Sequence, residues 1–133
     1  MRVERLDRLC IGVPELEKGK DLFKRVLGLE FQFSGSVDLP DGKSANMALS
    51  NQGIELLEVP DREIHLRSFH FKVADIEEAA DHVRKNDIDI ISEFSVGAMD
   101  EKVMDLFGMR GILIEYPGDD PAKAARGHVT IQK

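Results

Sequence analysis

The sequence repeats itself at an interval of 60 positions, and this repeat restricts the possible folds more than any other feature of the chain. Residues 8–25 align with residues 68–85 through matched aliphatic, acidic and basic positions. The same interval carries residues 54–56 onto residues 114–116, so one shift without a net gap aligns both ends of the unit. A chain with such self-similarity is expected to contain two copies of one structural unit.

Each copy has the pattern of a strand, an amphipathic helix and three further strands. Apolar residues recur at helical spacing in the second segment of each copy, and turn-forming residues separate the later segments. Gly28 is expected to end the first helix, and Asp75 to begin the second as an N-cap with Glu78 as its capping-box partner. The predicted strands are residues 5–13, 29–33, 46–50, 54–59, 66–73, 90–96, 103–107 and 112–116, and the predicted helices are residues 14–27 and 75–85.

These elements define an α+β fold of two βαβββ repeats. The first repeat spans about residues 3–60 and the second about residues 63–117, so that residues 1–117 form a single domain. Residues 118–133 form a C-terminal tail, because Gly and Pro residues after the last strand break the pattern. We expect this tail to be loosely ordered or to add one strand to a sheet edge.

Four polar residues occupy related positions in the two copies. If the repeats pair about a pseudo-twofold axis, Arg8 and Ser68 on the first strands face the same concavity as Glu55 and Glu115 on the last strands. Both glutamates lie among apolar strand residues, where an unpaired carboxylate is costly. The repeat therefore predicts a polar site inside the fold.

The charge of the chain restricts its partners. The 133 residues carry a formal net charge of −7, from 25 acidic and 18 basic residues that are interspersed. Nucleic-acid binding relies on clustered Lys and Arg, so we expect no nucleic-acid partner. The single cysteine, Cys10, cannot form an internal disulfide, and no apolar run is long enough to cross a bilayer. The sequence predicts a cytoplasmic protein with no membrane association.

Short motifs resemble the vicinal oxygen chelate superfamily, which includes glyoxalase I, methylmalonyl-CoA epimerase, extradiol dioxygenases and the bleomycin-resistance proteins. The matching stretches are LDRLCIGV at residues 6–13, LGLE at 27–30, GIELLE at 53–58, FKVADI at 71–76 and GILIE at 111–115. The resemblance is strongest to the epimerase branch. It implies a curved, partly open mixed β-barrel with a central cavity, helices outside, and pairing of the chain into a homodimer.

The resemblance also implies a metal-ligand set, which this sequence has altered. The metal of the superfamily usually has four protein ligands, one on the first and last strand of each unit, and these positions hold Arg8, Glu55, Ser68 and Glu115. A guanidinium has no lone pair to offer and repels a cation. We therefore predict a site without a metal, in which Arg8 pairs with Glu55 or Glu115 as a structural ion pair or as a clamp for a ligand.

His70 supports a different arrangement. It faces the same side of its strand as Ser68, so Glu55, His70 and Glu115 can form a displaced three-ligand site for a divalent metal. Without a metal, the same three residues are candidate catalytic acids and bases, because a carboxyl or an imidazole can move a proton next to a carbonyl.

Candidate ligand-binding residues are Arg8, Cys10, Ser68 and Arg110. Cys10 shares a strand face with Arg8, whose charge can lower the thiol pKa, although a small buried residue is the simpler interpretation. Residues 99–105 and the turn 108–111 lie where the superfamily places loops over the cavity mouth, and Arg110 there is either a contact for a ligand phosphate or a solvated turn residue.

Two functions fit these observations. The first is a small-molecule-binding protein without the usual metal centre, which resembles the bleomycin-resistance proteins and holds an oxygenated metabolite or a toxic compound. The second is an isomerase, epimerase or lyase that uses enolate chemistry on an acyl-CoA or a 2-oxo compound, with a divalent metal at a displaced site. A purely structural or regulatory module is disfavoured, because charged side chains on inward strand faces are excessive for that role.

Overall fold

The computed structural model describes residues 1–39 and 41–131, with side chains to residue 126. Pro40, which belongs to a predicted turn, and residues 132–133 of the tail lie outside the described residues. The strands are β1 (Val3–Val13), β2 (Phe33–Asp38), β3 (Ser44–Ser50), β4 (Ile54–Glu58), β5 (His65–Val73), β6 (Ile90–Val96), β7 (Met99–Leu106) and β8 (Met109–Glu115). The helices are α1 (Leu16–Leu27), α2 (Ile76–Lys85) and α3 (Pro121–Ile131).

The strands form one mixed sheet in the order β2-β3-β4-β1-β5-β8-β7-β6. The first strands of the two repeats, β1 and β5, pair antiparallel at the centre, and each pairs in parallel with the last strand of its own repeat. The sheet curls into a half-barrel whose edge strands, β2 and β6, do not pair with each other. The predicted α+β fold with two βαβββ repeats is confirmed.

The first two helices cover the outer face of the sheet. Gly28 ends α1 with a φ of 70°, and the Asp75 carboxylate accepts a hydrogen bond from the backbone of Glu78, as the sequence predicts. Leu16 of α1 and Ile76 of α2 are buried against separate apolar clusters on this face. Among the described residues, no helix is long and apolar enough to cross a membrane.

Two strands, β2 and β7, depart most from their predicted bounds. The second strand is Phe33–Asp38 and not residues 29–33, because the chain after Gly28 turns back so that Leu29 donates a hydrogen bond to the carbonyl of Phe23. The strand β2 contains Gly35 and two serines, so the apolar alternation that marks a strand is weak there. Residues 99–105, expected as a loop over the cavity mouth, belong to β7.

Residues 121–131 of the C-terminal tail form a helix, which corrects both expectations for this segment. Ala124 and Ala125 of α3 pack against residues of the inner sheet face, so α3 covers part of the concave side. The carbonyl of Ala124 accepts a hydrogen bond from the backbone of Ala98, and the neighbouring Gly97 has a φ of 63°. A Cβ at Gly97 would lie 2.3 Å from the carbonyl oxygen of Ala125, so this close approach requires glycine.

The two repeats are related by different intervals at their two ends. Leu9 on β1 faces Ile54 on β4, whereas Phe69 on β5 faces Gly111 on β8. The first strands therefore correspond at an interval of 60 positions and the last strands at 57. The prediction of a single interval was wrong for the last strands, and this shift decides which glutamates are equivalent.

Candidate functional site

A bulge in β1 turns two successive charged residues into the interior. The pairing of β1 with β5 shifts register between Leu6 and Arg8, and both Asp7 and Arg8 are buried. In a regular strand these neighbours would point to opposite faces. The bulge thus places a carboxylate beside a guanidinium under the concave face of the sheet.

Arg8 is the centre of a buried charge cluster. Its Nη1 donates to Oδ2 of Asp7 at 2.7 Å, and its Nε donates to Oε1 of Glu55 at 2.8 Å. Its Nη2 lies 3.8 Å from Oε2 of Glu101 and has no hydrogen-bond partner among the described residues. Although burial opposes ionisation, Glu55 and Glu101 raise the pKa of Arg8 above its ordinary value, so the guanidinium is always charged.

Asp7 carries the counter-charge that fixes Arg8. Its Oδ1 accepts hydrogen bonds from the Tyr116 hydroxyl at 2.6 Å and from Nε of Arg5 at 3.1 Å. Burial opposes its ionisation, yet the Tyr116 hydrogen bond and the Arg8 charge hold the pKa of Asp7 below its ordinary value. Asp7 and Glu55 are thus both paired with arginine, Asp7 with Arg5 and Arg8 and Glu55 with Arg8.

Glu101 and His70 form a pair beside this cluster in which the imidazole is neutral and the carboxyl is only partly ionised near pH 7. Burial is the largest influence on each: it raises the pKa of Glu101 to about 7 and, with the Arg8 charge, lowers the pKa of His70 to about 3. Nε2 of His70 lies 3.2 Å from Oε1 of Glu101, which would be an ion pair only if the imidazole were protonated. Because His70 is neutral at physiological pH, we interpret the contact as a carboxyl–imidazole contact in which Glu101 is protonated in a large fraction of molecules.

A pocket of about 260 Å³ opens over this pair on the concave face. Its floor is polar, its walls are mostly aliphatic, and two arginines lie at its edge. The floor includes Cys10, Glu55, Ser68, His70 and Glu101; the walls include Met47, Leu57, Phe94, Val96, Val103 and Ile112; the arginines are Arg67 and Arg110. A few convergent polar groups within an apolar cleft are typical of small-molecule sites.

Most of the predicted site residues meet in this pocket. Glu55, Ser68, His70 and Cys10 line it, as does Arg110 at the start of β8. Burial and the neighbouring Glu55 raise the pKa of the Cys10 thiol, so the lowered thiol pKa that Arg8 would have caused is not found.

Arg8 lies behind the pocket floor. It is buried, it is absent from the lining, and its contacts are the carboxylates that it binds. The guanidinium therefore positions and neutralises Glu55 from behind and does not form the pocket surface.

Glu115 lies outside the pocket. Its Oε1 accepts a hydrogen bond from the backbone N–H of Ile76 at 2.8 Å, at the first turn of α2. Glu58 does the same for the backbone N–H of Leu16 at the first turn of α1, also at 2.8 Å. Glu115 is thus the equivalent of Glu58 and not of Glu55, and each satisfies an N–H group that a helix N-terminus leaves unpaired.

Among the lining residues that the sequence analysis did not predict, Glu101 and Arg67 matter most for the chemistry of the pocket. Glu101 fell within the segment predicted as a loop, although it alternates with Met99 and Val103 as an inward residue of a strand would. Arg67 precedes the predicted Ser68 in the sequence, but it belongs to none of the motifs that indicated the site. The alternation before Val103 was the one sequence signal that pointed to Glu101.

The donor set does not fit the divalent metal that the resemblance implies. The Arg8 guanidinium is held against Glu55 by a 2.8 Å hydrogen bond, where its charge repels a cation and takes up carboxylate lone pairs. Glu115, a predicted ligand, instead accepts a hydrogen bond from the backbone N–H of Ile76 at the start of α2. In the part of the chain that the structure describes, no group of three or more His, Cys, Asp or Glu side chains is arranged to hold a metal ion.

Most of the chain matches the sequence model of one protein superfamily. Residues 5–116 match the Glyoxalase/Bleomycin resistance protein/Dioxygenase superfamily. The chain belongs to this superfamily. The match covers both βαβββ repeats and ends one residue beyond β8. No curated protein matches the chain significantly.

Solved structures share the fold of this superfamily member. The methylmalonyl-CoA epimerase from Mycobacterium tuberculosis has a TM-score of 0.74 at 17% identity, covering 87% of this chain and 90% of that one. A Streptomyces coelicolor methylmalonyl-CoA epimerase variant in complex with 2-nitronate-propionyl-CoA has a TM-score of 0.71 at 18% identity, covering 88% and 97%. A hypothetical protein from Bacillus halodurans C-125 has a TM-score of 0.68 at 20% identity, covering 86% and 95%. At these identities the likeness establishes the fold alone.

Proposed function

We propose that this protein binds a small oxygenated metabolite in its central pocket and that binding requires no divalent metal. The observation that carries the proposal is the Arg8 guanidinium, which is fully buried and contacts Asp7 and Glu55 behind the pocket floor. It supplies the positive charge that balances these carboxylates. The absence of a metal and the expected homodimer remain predictions.

The pocket favours a ligand with both polar and apolar parts. Glu101 and His70 on the floor can exchange hydrogen bonds with a carbonyl or hydroxyl oxygen, and Leu57 and Ile112 on the walls can cover carbon atoms. The volume of about 260 Å³ is below the range of roughly 300–1,000 Å³ typical of drug-sized ligands. If the ligand is a thioester of the kind that the epimerases bind, the pocket accommodates its acyl end only.

Filling the pocket is expected to remove this binding. Val103 lines the pocket, so Val103→Phe places a ring in the cavity with little change to packing elsewhere. We expect the wild-type protein, mixed with a cell extract and reisolated, to release a small molecule on denaturation, and Val103→Phe to release at least tenfold less, as measured by mass spectrometry.

Glu115→Gln is the matched control, because Glu115 lies outside the pocket and its amide oxygen can still accept from Ile76. It should release the same compound in the same amount as the wild type. Equal release from Val103→Phe and the wild type, or no released compound from the wild type, would argue against the proposal.

A second candidate function, a metal-independent isomerase or epimerase, is supported by Glu101. The pKa of Glu101 is about 7, so both its carboxyl and its carboxylate form are present near neutral pH. A group that removes a proton next to a carbonyl and later returns it must be available in both forms. Glu101 lines the pocket, and the neutral His70 beside it can accept or donate a hydrogen bond. Glu101 would take the proton from carbon to give the enolate, and its return to the neighbouring carbon would isomerise the ligand, whereas an epimerisation would need a second acid to return a proton from the opposite face.

Proton exchange distinguishes the two functions. In deuterated buffer, an isomerase of this kind would exchange the acidic carbon proton of methylmalonyl-CoA or of 2-oxobutanoate, as followed by proton NMR. We expect Glu101→Gln to slow that exchange at least about 100-fold, the usual contribution of a general base, and Glu115→Gln to leave it unchanged. Equal rates for the wild type and Glu101→Gln would rule out Glu101 as the base.

A further inference from the structure

Two arginines converge at the pocket edge. Arg67 on β5 and Arg110 on β8 line the pocket from neighbouring strands, which pair in parallel with Phe69 facing Gly111. Arg62, in the loop before β5, is near enough to repel Arg67. The pocket therefore has a cationic edge built by β5, the first strand of the second repeat, and its neighbour β8.

These cations lack counter-charges of their own. No carboxylate within the described part of the chain lies within 4.0 Å of Arg62, Arg67 or Arg110, although acidic residues outnumber basic ones by 25 to 18. Arg67 is half-buried, and burial, followed by repulsion from Arg110, lowers its pKa from the ordinary value. Placing like charges together is unfavourable unless an anion joins them.

The acidic groups of the pocket are engaged by other partners, although the charge of Glu55 acts on Arg67 from beyond 4.0 Å. Glu55 is bound to Arg8, and Glu101 contacts His70 on the floor. Asp41 also lines the pocket, and its Oδ1 accepts from the backbone of Lys43. The floor therefore disfavours an anion, whereas the arginine edge favours one, so the pocket has opposite preferences at its two ends.

We infer that Arg67 and Arg110 form an anion subsite that binds the carboxylate or phosphate end of the pocket ligand. This inference rests on the proposed function, because it concerns the same pocket. The ligand class is a small molecule with an anionic group at one end, a short apolar middle against Leu57 and Ile112, and an uncharged carbonyl or hydroxyl group at the floor. Guanidinium groups suit carboxylate and phosphate because they donate paired hydrogen bonds to two oxygens.

Calorimetric titration with a matched pair of probes tests the subsite. The probes are 4-oxopentanoate, which has a carboxylate and a carbonyl separated by two methylene groups, and its uncharged amide, 4-oxopentanamide; inorganic phosphate tests the other anion source. We expect the carboxylate to bind at least tenfold more tightly than the amide. Arg67→Gln and Arg110→Gln should each weaken carboxylate binding about tenfold to a hundredfold and leave amide binding unchanged.

Controls separate the subsite from general charge effects. Arg25→Gln removes an exposed arginine on α1 and should leave all affinities unchanged. Arg67→Lys keeps the charge and should recover part of the carboxylate affinity lost in Arg67→Gln. Stronger binding of phosphate than of 4-oxopentanoate would identify the anion as a phosphate; stronger carboxylate binding would identify it as a carboxylate.

The inference would be overturned if the carboxylate and the amide bound equally, if neither anion bound measurably, or if Arg67→Gln and Arg110→Gln had no greater effect than Arg25→Gln. Val103→Phe then shows which proposal has failed. If it abolishes amide binding, the pocket binds ligands and only the anion subsite is wrong. If amide binding is unaffected by Val103→Phe, the proposed function is wrong as well.

Discussion

Replacing Arg8 by Met is expected to lower the free energy of unfolding by about 3–5 kcal/mol, the usual cost of removing one partner from a buried ion pair. The Arg8 side chain is 1% exposed, and its loss leaves Asp7 and Glu55 as buried carboxylates without their main counter-charge. Methionine retains most of the aliphatic volume, so the effect reports the charge and not a cavity. Urea unfolding followed by circular dichroism at pH 7 measures it.

Two further variants keep this prediction testable. Arg25→Met, on the exposed face of α1, should change stability by no more than about 0.5 kcal/mol. If Arg8→Met does not fold, Arg8→Lys retains the charge and should fold with an intermediate stability, since it loses the paired donors to Asp7 and Glu55. A loss below about 1 kcal/mol in Arg8→Met would contradict the role assigned to this guanidinium.

Glu101→Gln is expected to change how stability depends on pH. The pKa of Glu101 rises from an ordinary value of 4.5 to about 7 in the folded protein, so the folded state binds more protons than the unfolded state between these values. Wild-type stability therefore falls as pH rises through this window. Relative to Glu101→Gln, the wild type should lose about 2–3 kcal/mol between pH 5 and pH 8.

The comparison with the variant is necessary because His70 has the opposite effect. Its pKa falls from 6.5 to about 3 on folding, so its contribution is complete above pH 6.5 and is lost as pH falls towards 3. In the wild type, the contributions of Glu101 and His70 to the pH dependence of stability partly cancel. The His70 contribution is present in both the wild type and Glu101→Gln, so it is removed when the stabilities of these two proteins are subtracted. Urea unfolding at pH 5 and pH 8 measures this difference.

Glu30→Gln provides the control for this experiment, since Glu30 is an exposed carboxylate that does not line the pocket. Its stability should follow that of the wild type at both pH values. An identical pH dependence in Glu101→Gln and the wild type would show that Glu101 ionises normally in the folded protein, and it would remove the support for a raised pKa of Glu101 on the pocket floor.

The repeat made most of the fold predictable. Helical periodicity, the Gly28 and Asp75 caps and the recurring turn residues gave the order of elements through β8, because these signals are local. The edge strand β2 was predicted too early in the chain, at residues 29–33, and the helix α3 was not predicted. Neither has a strong apolar pattern of its own: β2 contains Gly and Ser, and the alanines of α3 are buried only by contact with the rest of the fold.

The sequence predicted those site residues whose orientation follows from the alternation of side chains between the two faces of a strand. Ser68 and His70 face inward together, as two positions on one strand should. Glu115 was misplaced because sequence similarity matched it to Glu55, whereas strand pairing matches it to Glu58. Register between distant strands depends on tertiary hydrogen bonding, and a shift of an odd number of residues moves a side chain to the opposite face.

Divalent metal dependence is the most direct test of the account. Protein purified without chelator should contain less than about 0.1 equivalent of any divalent metal by plasma mass spectrometry, because the buried charge of Arg8 disfavours a second cation beside Glu55. Its affinity for 4-oxopentanoate should be the same before and after treatment with EDTA. Stoichiometric metal, lost on chelation together with ligand binding, would contradict the assignment of Arg8 as the charge that balances the site.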